Sequence, residues 1–406
     1  MNEGNVRALS HLKILDLTHY IAGPYCTKLM AGFGAEVIKI ERPPSGDKMR
    51  SMGPFCRGER GLEKSIPFLW LNTGKKSITL NLKMEKGVDI FKRLVGEADA
   101  VIENFSPRVM PGLGLGYESI RTINPDIVMT SISNFGQTGP YRDFKAEEIV
   151  MYAMSGLMFL TGAEDRPPLV SGPAITQYTA GQNAYVATLM ALYQRDKNAE
   201  SGNGHGQRID VSIQECAMDL RELSIMEHLN LGTVPKRNSD RHALCPWQSY
   251  PCKDGYAVVV GAPMRRWHAF ADVVEEPRLK EKRFDRMKDR VERRDEVEAL
   301  FKPWLEKHTR TEIFAAGQRH GLAFGYVATL PEVLGSAQHR ARQYFETVEH
   351  PEVGKHRYCG APFRPSKTPW QAKRAPKLGE HNASIYGDLL GYAEEELRML
   401  AEEGVV

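Results

Sequence analysis

Side chains whose types could bear on chemistry include two adjacent carboxylates, Glu147 and Glu148, and a carboxamide, Gln177, the last within the stretch GPAITQYTAG from Gly172 to Gly181. A carboxylate is ionised at neutral pH and can attack an acyl carbon, dividing one hard acyl transfer into easier steps. A carboxamide is neutral and its nitrogen lone pair is delocalised, so Gln177 cannot accept an acyl group, although it can donate and accept hydrogen bonds. Glu148 is open to two readings: a working carboxylate, or an acid that starts a helix running to Phe159, where the positive end of the helix dipole favours it. Ser224 and His228 are four apart but carry no flanking nucleophile motif, and His205 lies in a polar GNGHG loop; both histidines read as structural. Gly112, Gly114 and Gly116 form GLGLG, whose third glycine is misplaced for a dinucleotide fingerprint, so a tight loop before a helix is expected.

The elements that must hold these groups follow from the apolar pattern. Ile14–Leu17 and Val37–Ile40 are short, mostly apolar runs separated by a helical pattern that stops at Gly34, a βαβ unit. A second unit has a helix near Lys86–Val95, a strand at Ala100–Ile102, a helix after Tyr117 and a strand at Ile127–Ser131. Alternating strands and helices predict an α/β fold with a parallel sheet covered on both faces. After a strand at Gln207–Val211, one long helix is expected from Ser212 past Leu223, then a polar irregular stretch, a strand at Tyr256–Val260 and a charge-rich helical segment from Arg265 to His308. Within it, Arg278–Glu296 interleaves acids with bases and reads as a solvated helix face with i,i+4 pairs rather than a nucleic-acid surface.

Composition agrees with a globular enzyme: 406 residues, 42% hydrophobic and 26% charged, with a formal charge of +3. That charge is too slight for nucleic-acid binding, though a mildly basic surface suits an anionic substrate. Six cysteines without a CxxC pair indicate neither disulfides nor zinc, and a reducing cytoplasm fits. The greasiest segment, Ile149–Leu160, is interrupted by Tyr152, Ser155 and Gly156, so no membrane span or secretion signal is expected.

The chain resembles the family III CoA-transferases, which include formyl-CoA, carnitine and benzylsuccinate CoA-transferases and related racemases. The resemblance is carried by LKILDLTHYIAGPYCTKLMAGFGAEVIKIERPPSGD, NTGKKSITLNL, ENFSPRVMPGLGLGYE, SISNFGQTGPY, SGLMFLTG, GQRIDVSIQE and the C-terminal ATLPEVL, HPEVG, KTPW and LGEHN. It implies a discontinuous Rossmann-like large domain (1–225 and 329–406), a smaller α+β domain (226–328), and an interlocked dimer.

The resemblance puts the family's nucleophilic Asp at Gln177, with Gly181 in its usual place, and a second catalytic carboxylate at Glu148. The two bases of the racemases would fall on Glu147 and Gln177, which argues against racemisation. CoA recognition would involve His19, Tyr20, Ala22, Arg42, Asn104, Phe105 and Lys145, while Gly112 stands where many relatives have an Arg. Coenzyme A thioester is then a substrate, with no covalently bound cofactor and no metal. A chain that keeps the scaffold without the nucleophile fits the non-nucleophilic subunit of a heteromeric enzyme, a heterodimer or heterotetramer with a homologous chain bearing the Asp. Such an enzyme would move CoA from succinyl-CoA to an acid of the benzylsuccinate type. The alternatives are a self-sufficient homodimeric transferase or thioester isomerase using Glu148, and a CoA-thioester binding protein without turnover. Met151, Tyr152, Trp247 and Tyr250 are candidates for an aromatic pocket, although apolar residues so spaced usually belong to a core.

Overall fold

The computed structural model describes residues 7–202, 204–237, 241–261 and 266–406. Arg265, where the charge-rich segment was expected to begin, lies outside the described residues, as does part of the polar stretch before it.

Six strands form one sheet: β1 (Lys13–Asp16), β2 (Glu36–Glu41), β3 (Lys76–Thr79), β4 (Ala100–Glu103), β5 (Val128–Ser133) and β6 (Arg208–Ser212). The order is β3-β2-β1-β4-β5-β6 and every pairing is parallel. Successive residues of a strand point to opposite faces, and here both faces are apolar. Ile14, Val37, Ala100 and Ile102 pack with Cys26 and Met30 of the helix Ala22–Gly32 and with Ala180 and Ala184 of the helix Ile175–Asn198. Leu15, Ile38, Ile40 and Val101 pack with Ile90, Phe91, Leu94 and Val95 of the helix Glu85–Gly96. The expected α/β architecture with a doubly covered parallel sheet is therefore present.

The chain divides into two compact units, 1–158 with 170–233 and 341–406, and 159–169 with 234–340. The breaks fall near residues 233 and 340, against expected ones near 225 and 328, and residues 159–169 join the second unit. The C-terminal part closes on the edge strand of the large sheet. Asn382 accepts the Thr79 N–H at 2.9 Å, the Tyr386 hydroxyl donates to the Thr79 carbonyl at 2.6 Å, and Ile385 and Tyr386 enter the core. This region also holds an antiparallel pair, β10 (Phe345–His350) and β11 (Gly354–Cys359). The second unit has an antiparallel sheet of β7 (Trp247–Cys252), β8 (Gly255–Val260) and β9 (Gly325–Tyr326), with Tyr250, Trp267, Phe270 and Phe301 at its core.

Three helical expectations are corrected. The helix from Ser212 is broken: Ser212 caps Ile213–Asp219, the chain turns at Leu220 and Arg221, and a second helix runs over Glu222–Leu231. The helix after Glu147 stops at Met154 instead of reaching Phe159, because Ser155 and Gly156, the latter at φ +84°, end it. Arg278–Glu296 is a series of short turns, Pro277–Lys280, Lys282–Phe284 and Met287–Glu292, leading into the helix Arg294–Lys307. Arg290 and Arg294 are buried there, and Arg290 donates to the carbonyls of Phe284 and Asp285 at 2.7 and 2.9 Å. These arginines tie turns together, so only part of the segment is a solvated face.

Candidate active site

In an open parallel sheet the crevice forms where strand order reverses, because the loops leaving two adjacent strands go to opposite faces. Here the reversal lies between β1 and β4. A cavity of about 300 Å³ opens at the carboxyl ends of these strands, lined by Tyr20 after β1, Asn104 and Phe105 after β4, and Ser133 and Asn134 at the end of β5. Glu147, Glu148, Ala174 and Gln177 complete it from the opposite side. Residues far apart in the chain thus meet in one space, including both carboxylates and the carboxamide singled out from the sequence.

Gln177 is half-buried in the first turn of the helix Ile175–Asn198, and its side chain faces the cavity with no hydrogen-bond partner among the described residues. The helix is entered through Ala174, held at φ +56°, a left-handed conformation that L-residues rarely adopt. Tyr20 on the facing wall is also left-handed, at φ +65°. Backbone strain of this kind persists only where surrounding structure enforces it, and it gathers at working sites. One turn beyond Gln177, Gly181 lies against helix Ala22–Gly32 so closely that a Cβ would sit 2.5 Å from the Ala22 carbonyl oxygen.

Glu148 opens the helix Glu148–Met154 and reaches the other helix: its Oε1 accepts the Thr176 backbone N–H at 3.1 Å and its Oε2 accepts the Thr176 hydroxyl. Its carboxylate therefore satisfies an otherwise unpaired N–H in the first turn of the long helix. Glu147 is exposed at the N-cap and its side chain caps nothing.

The β1 and β4 loops are bonded to each other. His19 N–H donates to Asn104 Oδ1 and Asn104 Nδ2 donates to the His19 carbonyl, each at 2.8 Å, and the rings of His19 and Phe105 are 5.7 Å apart. Beneath them lies a buried charge network. Lys39 Nζ is 2.8 Å from Asp47 Oδ2, and Lys75 Nζ donates to Asp16 Oδ2 at 2.9 Å and Asn72 Oδ1 at 2.8 Å. Arg50 forms a fork on Glu41 at 2.7 and 2.8 Å. Burial alone would raise the acids, yet Lys39 and His19 hold the Asp47 carboxyl well below the usual range, and Lys75 and Lys39 do the same for Asp16. Burial pulls the Lys75 ammonium down to about 8 against the opposing pull of Asp16.

Of the residues expected to recognise CoA, Tyr20, Asn104 and Phe105 line the cavity. His19 stands behind them through its bonds to Asn104, while Ala22 is buried at the start of its helix. Arg42 and Lys145 are exposed and are not among the described lining residues, although Lys145 adjoins Ala146, which is. Met151 and Tyr152 are core residues of the first unit and Tyr250 is one of the second, while Trp247 stacks on His242 at 5.1 Å. His228 accepts no catalytic geometry either: its Nδ1 bonds the Thr233 carbonyl at 2.8 Å across the helix end. Thr176 and the supporting ions Asp16, Lys39, Asp47 and Lys75 were missed from the sequence. Among the described residues no cluster of His, Cys, Asp or Glu could hold a metal, and no helix is long and apolar enough to cross a membrane.

A doubly wound α/β protein with an acid-and-amide cavity at its strand-order reversal is a class defined by this geometry. Within that class the chain belongs to the CoA-transferase family III, whose model matches residues 9–382. It is 35% identical to the succinyl-CoA–D-citramalate CoA-transferase of Chloroflexus aurantiacus over 98% of each chain. It is 34% identical to the formyl-CoA:oxalate CoA-transferase of Streptomyces avermitilis, over 98% of this chain and 100% of that one. A solved structure of a CaiB/BaiF family protein from Brucella suis is similar with a TM-score of 0.83 and 31% identity, covering 94% of this chain and 99% of the other.

Proposed function

We propose that this chain is the non-nucleophilic subunit of a CoA-transferase, working in the cytoplasm beside a homologous chain that carries the nucleophilic Asp. The observation that carries the reading is Gln177: a carboxamide faces the cavity at the place where resemblance puts the attacking carboxylate. A carboxamide can hold a thioester or carboxylate oxygen by hydrogen bonds but cannot form the mixed anhydride that the family's chemistry requires. In the complex, CoA passes from an acyl-CoA, with succinyl-CoA the favoured donor, to an organic acid of the benzylsuccinate type. The related transferases named for succinyl-CoA and formyl-CoA support an acyl-CoA donor and a carboxylic acid acceptor.

A protein partner is supported by the helix Glu222–Leu231, which buries none of its residues and exposes Leu223, Leu229 and Leu231. Val186, Met190 and Tyr193 of the helix Ile175–Asn198 are exposed as well. Apolar surface of this kind marks interaction sites. The large domain is proposed to comprise 1–225 and 329–406, with 226–328 the smaller domain, as the family resemblance implies.

A second reading rests on Glu148, which lines the same cavity as Gln177. There Glu148 takes the acyl group and the chain is a self-sufficient homodimer; without turnover it is a CoA-thioester binding protein. Native mass spectrometry of the complex from source cells separates these. A homologous, Asp-bearing chain in equal stoichiometry supports the first reading; a homodimer alone removes it.

A further inference from the structure

Glu103, the last residue of β4, is 3% exposed, and its Oε2 accepts the Phe105 N–H at 2.8 Å. It faces a small side cavity of about 40 Å³, whose walls Ser106 and Pro107 also belong to the main cavity. Asn104, between the bonded residues, holds the backbone of His19. Glu103 therefore holds the β4 loop at Phe105 while the adjacent Asn104 ties that loop to the β1 loop, and both loops present residues to the main cavity. Arg208 and Asp210 of β6 are the charged groups acting on Glu103, Ser131 of β5 lies beside it, and Tyr117 shares the side cavity while its hydroxyl donates to the Gly206 carbonyl.

We propose that Glu103 is a positioning residue for CoA-thioester binding: its ionised carboxylate fixes Phe105, and through Asn104 the His19 backbone, in the arrangement that walls the cavity. The proposal rests on the reading of that cavity as a CoA-thioester site. An ionised acceptor holds an N–H about twice as strongly as a neutral one. On protonation, one oxygen becomes a donor that needs an acceptor of its own. Burial pushes Glu103 up to about 7, with Ser131, the Phe105 N–H and Arg208 opposing, so the change falls in the physiological range. With Glu103 still buried in β4, ionisation strengthens the Phe105 bond and holds the loop, and protonation loosens it, although ionising the buried carboxyl costs the fold as a whole.

The test compares the full-length protein with Glu103→Gln, which keeps an acceptor for the Phe105 N–H but is neutral at every pH. Coenzyme A affinity is measured calorimetrically between about pH 5.5 and pH 8.5; titration of the CoA phosphates is common to both proteins. The expected result is roughly fivefold weaker binding by the variant at the alkaline end, the scale of the difference between a charge-assisted and a neutral hydrogen bond, converging to equality at the acid end. A ratio constant across this range overturns the proposal. Hydrogen exchange of residues 103–107 without ligand gives an independent reading: greater protection in the parent at alkaline pH only supports it, and equal protection throughout overturns it. If neither protein binds CoA, the thioester reading of the cavity fails, and the exchange comparison alone decides the role of Glu103.

Discussion

Thr176 donates both its backbone N–H and its hydroxyl to the two oxygens of Glu148, joining the starts of two helices at the cavity wall. This pairing gives Glu148 an architectural role beside any chemical one. Glu148→Ala is expected to lower stability by about 1–3 kcal/mol, the cost of leaving the buried Thr176 donors unpaired, as read by denaturant unfolding. Glu148→Gln keeps an acceptor for Thr176 and should unfold nearly as the parent does. Turnover by the isolated chain that survives Glu148→Gln eliminates Glu148 as the acyl acceptor.

Restoring an acid tests the cavity directly. Gln177→Asp, incubated with succinyl-CoA, is expected to gain the mass of a covalent CoA thioester, and the parent is expected to gain none. An unmodified variant would mean that the cavity no longer seats a CoA thioester.

The charge network beneath the β1 loop makes a strong prediction for stability. Lys75→Met leaves Asp16 buried without its nearest cation and is expected to cost about 3–5 kcal/mol in chemical denaturation at neutral pH. A loss below about 1 kcal/mol would show that Lys39 and the hydroxyls of Thr18 and Thr27, which donate to Asp16 at 2.5 and 2.7 Å, suffice.

Glu103 should also leave a signature in the pH dependence of folding. Its proton is held more tightly in the folded chain, near 7 against an ordinary 4.5, so its contribution to stability is full below the ordinary value. That contribution is lost as pH rises through about 7. Relative to Glu103→Gln, the parent is expected to lose up to about 3 kcal/mol between pH 4.5 and 8. Parallel stability profiles for the two proteins would count against a raised Glu103.

Much of this architecture is legible in the chain because parallel strands buried on both faces leave short, mostly apolar runs. Ile14–Leu17 and Ala100–Ile102 are such runs, and the structure has strands at both. The meeting of Glu148 with Thr176 leaves no local trace, since 28 residues separate them and neither spacing nor composition encodes the contact. Lys39, Asp47 and Lys75 read as ordinary charges; only the fold shows that they are buried and paired. Arg290 and Arg294 misled in the same way, since their partners are mostly backbone carbonyls that no sequence pattern displays. The break at Leu220–Arg221 was hidden because no Gly or Pro marks it.

The crossing at Gly181 joins helix to helix through main-chain atoms, with the Ala22 carbonyl where a side chain would begin. Such a joint cannot be retuned by swapping side chains, and it lies one turn from Gln177. The crossing that frames the cavity is therefore independent of the side chain at 177: a substitution there changes the groups the cavity offers and leaves the two helices in register.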